Sequence, residues 1–180
     1  NPVLRAGLTY ASGFGNIVLC LYSLLGTIIG KSIFDAHLSG IVDPWQIAGL
    51  RAAFRLLLFA YISGLYALII KCFVADDGLV EPINFFYYWL FASLLMNTFA
   101  SVFRAIFDGL GDSGSPFASA FIMLQMSSCN VLSPQVLSPS FYQIGKGLPM
   151  YHGAVVARHL IFGSFSNYEV SLSIGVLFIW

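Results

Sequence analysis

Across its 180 residues the chain is 58% hydrophobic and only 9% charged, with a mean hydropathy of +0.85; soluble domains are about one-quarter charged, so this composition belongs in lipid. Lys plus Arg and Asp plus Glu number eight each, which leaves no basic surface for nucleic acid and no acidic tail for a basic partner. Cys20, Cys72 and Cys129 stand apart in or beside apolar runs, a pattern of small buried side chains that fits neither a disulfide framework nor a zinc site.

Ala6 to Gly30 contains no charge, and Ile17 to Ile29 is dense in Leu, Ile and Val. This predicts a first spanning helix ending at Lys31. No signal peptide is legible, because the apolar stretch after Arg5 is too long for an h-region and lacks a convincing cleavage site. Lys31 to Gln46 is polar and mixed, with Asp35 and His37 reading as an exposed loop pair. A turn at Pro44-Trp45-Gln46 then leads into a second apolar region from Ile47. Arg51 and Arg55 share one face of it at i,i+4, and the uncharged part, Leu56 to Ile70, is short. The two arginines either snorkel to the headgroups or contact anionic lipid or a cytoplasmic partner, and the helix ends near Lys71.

Asp76, Asp77, Gly78, Glu81 and Pro82 form an acidic turn before a third span, Ile83 to Phe103, which opens on the aromatic run Phe85 to Trp89 expected of an interfacial girdle. Arg104, Asp108 and Asp112 follow at spacings of four, so a helix continuing past the lipid would let them pair until Gly109, Gly111 and Gly114 stop it. A fourth span, about Pro116 to Val136, is rich in Ser, Ala and Met, and its Gln125 and Asn130 would seek partners inside a bundle. Both are candidates for lining a transport path.

Ser138 to Gly163 is neither a clean apolar span nor a loop. Pro139, Gly145, Gly147 and Pro149 break it into pieces that each keep an apolar side. Such backbone belongs at the water interface or folded back into a protein-lined cavity. Two short helices are expected on either side of Lys146 to Met150, with Phe141 and Phe162 facing apolar surroundings. Tyr142, Pro149, His152 and Arg158 are candidates for a gate in this segment. His152, Arg158 and His159 form a polar group that either titrates in function or is the wet face of an interfacial helix. Val170 to Trp180 starts a fifth span and stops about halfway across. Together with the Asn1 start, this reads as the C-terminal part of a longer protein.

Two motifs resolve into ordinary helix chemistry. Gly26-Thr27-Ile28-Ile29-Gly30-Lys31-Ser32 has three residues between its glycines where a phosphate-binding loop needs four, and it ends an apolar span. Gly111-Asp112-Ser113-Gly114 resembles the nucleophile segment of rhomboid intramembrane proteases, but the downstream histidines, His152 and His159, lie in the broken segment. A glycine-rich helix start capped by Asp112 or Ser113 is the simpler reading.

The order Pro139, Phe141-Tyr142, Gly145, Pro149, Tyr151, Arg158 and Leu160-Ile161-Phe162-Gly163 resembles the C-terminal signature of the fungal nitrosoguanidine-resistance membrane proteins. These are distant relatives of the YhgE/Pip group and of the type-2 ABC exporter membrane domain. Pro44-Trp45-Gln46 and the aromatic start of the third span are similar to the same family. The chain departs from it at Lys146-Gly147 and in the more polar loop before the fourth span. The resemblance implies a six-span bundle of which this chain holds the last five, with Lys31 to Gln46 and Arg104 to Ser115 cytoplasmic. That orientation breaks a tie, because counting positive charges loop by loop puts Arg5, Lys71, Lys146 and Arg158 on one side against Lys31, Arg51, Arg55 and Arg104 on the other.

The expectation is thus an all-α, polytopic membrane bundle in one domain, residues 1–180, with four full spans, a truncated fifth and a re-entrant helical hairpin before the last. Its expected role is a permease-like protein without its own ATPase, associated with export of, or resistance to, hydrophobic toxic compounds or lipids. A non-transporting scaffold is the alternative, and a rhomboid-like protease the lesser one. No cofactor is expected. Expected partners are the lipid bilayer and either further copies of the chain or an associated membrane or ATPase subunit, in the plasma membrane or an endomembrane.

Overall fold

A computed structural model describes residues 2–37, 43–74, 84–128, 143–163 and 165–180. Its helices are α1 (Pro2–His37), α2 (Pro44–Val74), α3 (Phe85–Leu110), α4 (Gly114–Ser128), α5 (Pro149–Phe162) and α6 (Asn167–Ile179), with a 3-10 turn, Gly111–Ser113, between α3 and α4. No strand occurs among the described residues. Three segments, Gly13–Phe34, Trp45–Cys72 and Phe85–Leu110, are long and apolar enough to cross a bilayer. Their outward faces carry Leu25, Ile29, Leu57, Leu65 and Ile69 in the open, a surface that water would not tolerate and lipid does. The chain is a membrane protein.

Several boundaries differ from expectation. Lys31 does not end α1, which runs on to His37, because nothing after Lys31 breaks a helix before Gly40 and Pro44. Nor is Pro44 a turn residue. It opens α2 at the first helical position, where its missing N–H costs nothing, and the Asp43 carbonyl accepts from Gln46 and Ile47 at 3.0 and 3.1 Å. The aromatic run is not a simple outward girdle. Phe86 and Tyr87 face outward, but Tyr88 is fully buried and the Trp89 indole N–H donates to the Ala60 carbonyl at 2.8 Å. The α3 N-terminus is capped by Asn84, whose side chain accepts from the Phe86 N–H.

Helix α3 is the hub and touches every other helix. Its inner stripe, Tyr88, Phe91, Ala92, Leu95, Met96, Phe99, Ala100 and Phe103, repeats at the 3.6-residue period and is buried. Neighbouring spans run antiparallel. Phe34 stacks edge-on against Phe54 near one end, while Gly15 meets Tyr66 towards the other. Between α2 and α3, Tyr66 pairs with Tyr88 at that same far end. Glycines permit the approach, since a Cβ on Gly26 would lie 2.7 Å from the Phe59 ring.

The Arg104 Nε reaches Asp108 at 3.1 Å, the pairing their spacing predicts, and α3 ends where Gly111 takes a φ of +56°. The expected fourth span is described from Gly114 to Ser128, and the rest of it lies outside the described residues. In the broken segment, residues 143–145 are helical, a turn follows at 146–147, and α5 starts at Pro149. Phe162 packs against the core, whereas Phe141 lies outside the described residues.

Candidate functional site

Helix α5 is buried almost all round, from Met150 and His152 through Ala157 to Ile161, so it is not an interfacial helix with a wet face. Gly153 lets it seat against α3, with a Cβ at that position falling 2.9 Å from the Leu95 side chain. Its N-terminus begins at Leu148 without a side-chain cap of its own. The fully buried Gln125 of α4 supplies one, its Oε1 accepting from the Met150 N–H at 3.0 Å.

One turn on, His152 is 5% exposed and engaged at both ring nitrogens, correcting the expectation of a wet group. Nε2 lies 2.8 Å from the Lys146 carbonyl and Nδ1 lies 3.1 Å from the Ser173 Oγ of α6. The neutral tautomer fits both, with Nε2–H donating to the carbonyl and Nδ1 accepting from the hydroxyl. Burial lowers its affinity for a proton below the ordinary histidine value. His159 instead meets the Phe165 carbonyl at 3.2 Å, and Phe165 holds a left-handed φ of 73° just after Gly163 at 62°. That histidine fixes a strained turn. Arg158 is half-buried.

The structure therefore brings together Gln125, Pro149 and His152 from the sequence-derived candidates. Asn130 and Tyr142 lie outside the described residues, as do Cys129 and the side chains of Asp35, His37 and Asp112. Ser113 is exposed in the 3-10 turn, while both His152 nitrogens are engaged elsewhere.

Two features escaped the sequence reading. Asn16 is fully buried in α1, and neither polar atom of its side chain has a partner among the described residues. At the opposite end of the three spans, a cleft of about 50 Å³ is lined by Gly26, Thr27, Gly30, Lys31 and Phe34 of α1, Arg51, Phe54 and Arg55 of α2, and Ala100, Arg104, Phe107 and Asp108 of α3. The alternating topology that grouped Lys31, Arg51, Arg55 and Arg104 on one side was the available signal. A space between them was not readable from spacing.

A family model described as "Protein of unknown function (DUF3533)" matches residues 1–180. The chain belongs to the DUF3533 family. No curated protein and no solved structure matches it. Among the described residues of this DUF3533 chain, no group of three or more His, Cys, Asp or Glu is placed to hold a metal ion.

Proposed function

We propose that this DUF3533 chain is the lipid-embedded part of a permease-like protein that moves hydrophobic or amphipathic molecules, lipids included. The observation that carries this reading is Asn16, a carboxamide fully buried in a spanning helix without a partner among the described residues. Leaving such a group unmet costs about 1–3 kcal/mol, and costly polar groups inside spans are found along substrate and ion pathways. Gln125, Ser63 and Ser173 add further buried polarity to helices whose outer faces are apolar.

In this reading the chain holds the last five spans of a six-span bundle. The segment Ser138 to Gly163 folds back to close the non-cytoplasmic mouth, with Pro149 as its hinge. Lys31 to Gln46 and Arg104 to Ser115 face the cytoplasm. The resemblance to the nitrosoguanidine-resistance proteins supports export or resistance as the outcome, with energy supplied by another subunit or by the gradient of the substrate. No catalytic chemistry is assigned.

The test is flux. Purified protein is reconstituted into phosphatidylcholine vesicles carrying a fluorescent-headgroup lipid, and externally added dithionite reports its exchange between leaflets. Protein-dependent exchange that falls in Asn16→Leu is the expected result. Exchange no faster than in empty vesicles, together with co-purification of a partner, would replace transport with the scaffold reading.

A further inference from the structure

Three helices deliver Lys31, Arg55 and Arg104 to one cleft, which Arg51 also lines and whose lining, among the described residues, includes a single carboxylate, Asp108. Asp108 is already committed to the Arg104 Nε at 3.1 Å. The Arg51 guanidinium lies over the Phe34 ring, 5.9 Å from its centroid. Arg55 lines the same cleft as Arg104, and its Nε is buried without a hydrogen-bond partner among the described residues. Like charges held close and partly shielded from water repel, and an anion seated between them converts that repulsion into attraction.

The walls suit a compact, oxygen-rich anion. Gly26 and Gly30 contribute no side chain, and nothing lies within 4 Å of where a Cβ on Gly30 would be. Thr27 donates its hydroxyl proton to the Ser23 carbonyl at 2.7 Å, so the anion's donors come from the cationic side chains and not from this hydroxyl. Guanidinium forks match phosphate geometry in pairs. The α1 residues flanking this lining, Leu25, Ile28, Ile29 and Ile33, are apolar and exposed, a surface on which acyl chains can lie while a headgroup enters the cleft.

We propose that this cleft binds a phosphate group, presented by an anionic phospholipid headgroup or as free phosphate. The site works whether or not the bundle moves a solute. Under the orientation proposed above it faces the leaflet in which anionic lipids are concentrated. The segment from Gly26 to Lys31, too short for a nucleotide-binding loop, contributes here as one helical wall of the cleft.

The experiment uses the full chain purified in detergent, with native mass spectrometry counting retained phosphatidylserine or phosphatidylcholine. Inorganic phosphate is added alone in a second arm and as a competitor in a third. Wild type is expected to retain phosphatidylserine over phosphatidylcholine, with about tenfold weaker binding in Arg55→Gln and Arg104→Gln. Arg55→Lys should recover part of this. Lys31→Gln tests the same site from an exposed position that folding does not need, and Lys71→Gln, at the far end of α2, should bind like wild type. Phosphate that binds alone and displaces the lipid assigns the site to the phosphoryl group itself. Phosphate without effect assigns it to the lipid headgroup. Equal retention of both lipids with no phosphate binding, or binding unchanged in both Arg55→Gln and Lys31→Gln, overturns the proposal.

Discussion

Ser173 and His152 meet at 3.1 Å, hydroxyl oxygen to Nδ1, joining α6 to the buried face of α5. The imidazole also holds the Lys146 carbonyl and lies edge-on to the Tyr151 ring, so no carboxylate among these partners offsets a positive charge there. Burial lowers its proton affinity below the ordinary value of 6.5. The unfolded chain then binds more protons than the folded one between the two values, so stability rises with pH across that window. His152 contributes its full share above about pH 6.5 and loses it as pH falls through the depressed folded value. The hydroxyl can rotate to accept, so the bond to Ser173 survives protonation and desolvation carries the penalty. Thermal unfolding in detergent from pH 7.5 to 4.5 should show a falling melting temperature in wild type and a flatter profile in His152→Gln. Identical slopes would remove His152 as the cause.

Gln125 tests whether α5 depends on a cap borrowed from α4. Gln125→Met leaves the Met150 N–H buried without its acceptor, a loss of about 1–3 kcal/mol by itself. The same substitution removes the Gln125 Nε2, which is buried and unpartnered among the described residues, so the net loss should be about 1 kcal/mol. The sharper readout is local. Amide exchange at Met150 and in the first turn of α5 should accelerate while α3 is unchanged. Uniform acceleration through both helices would mean a general packing defect and no specific cap.

How far the sequence carried this fold depends on what each residue needed to know about its neighbours. Arg104 and Asp108 needed only helical spacing, and the break at Gly111 only the freedom of glycine. Lys31 misled because the end of a charge-free run marks where a span meets water, not where a helix stops. His152 misled for a different reason: its place in a broken, polar-looking segment suggests a wet face, but its neighbours from Gly153 to Ala157 are small and apolar, and α1, α3 and α6 cover that surface. The cleft between Lys31, Arg55 and Arg104 depends on three helices leaving space at one end, and no single helix contains that information.

Gly26 should be a sensitive small residue in the α1–α2 contact. A Cβ there lies 2.7 Å from Phe59 Cε1 and 3.5 Å from Leu58 Cδ2, and Phe59 is 1% exposed with nowhere to retreat. Gly26→Val adds branching to the clash and should destabilise by about 1–3 kcal/mol. Gly49→Ala in α2 meets nothing within 4 Å and should be neutral or stabilise by up to about 1 kcal/mol through helix propensity. Paired melting curves check both, and equal effects would show that close approach at Gly26 is not limiting.

Membrane sidedness tests the proposed orientation most directly. The antiparallel pairs Phe34 with Phe54 and Tyr66 with Tyr88 put the C-terminal end of α2 and that of α3 at opposite ends of the three spans. Single cysteines at Asp76 and Gly109, in a chain whose Cys20, Cys72 and Cys129 are replaced by alanine, should therefore label from opposite faces with a membrane-impermeant maleimide. Lys146 is the discriminating position. Its carbonyl binds His152 at the start of α5, whose Gly153 packs against Leu95 near the middle of α3. A segment folded back from the non-cytoplasmic face places a cysteine at Lys146 with Asp76. Labelling together with Gly109 would instead require α4 and its continuation to return to the side they started from, and the proposed re-entrant mouth would be withdrawn.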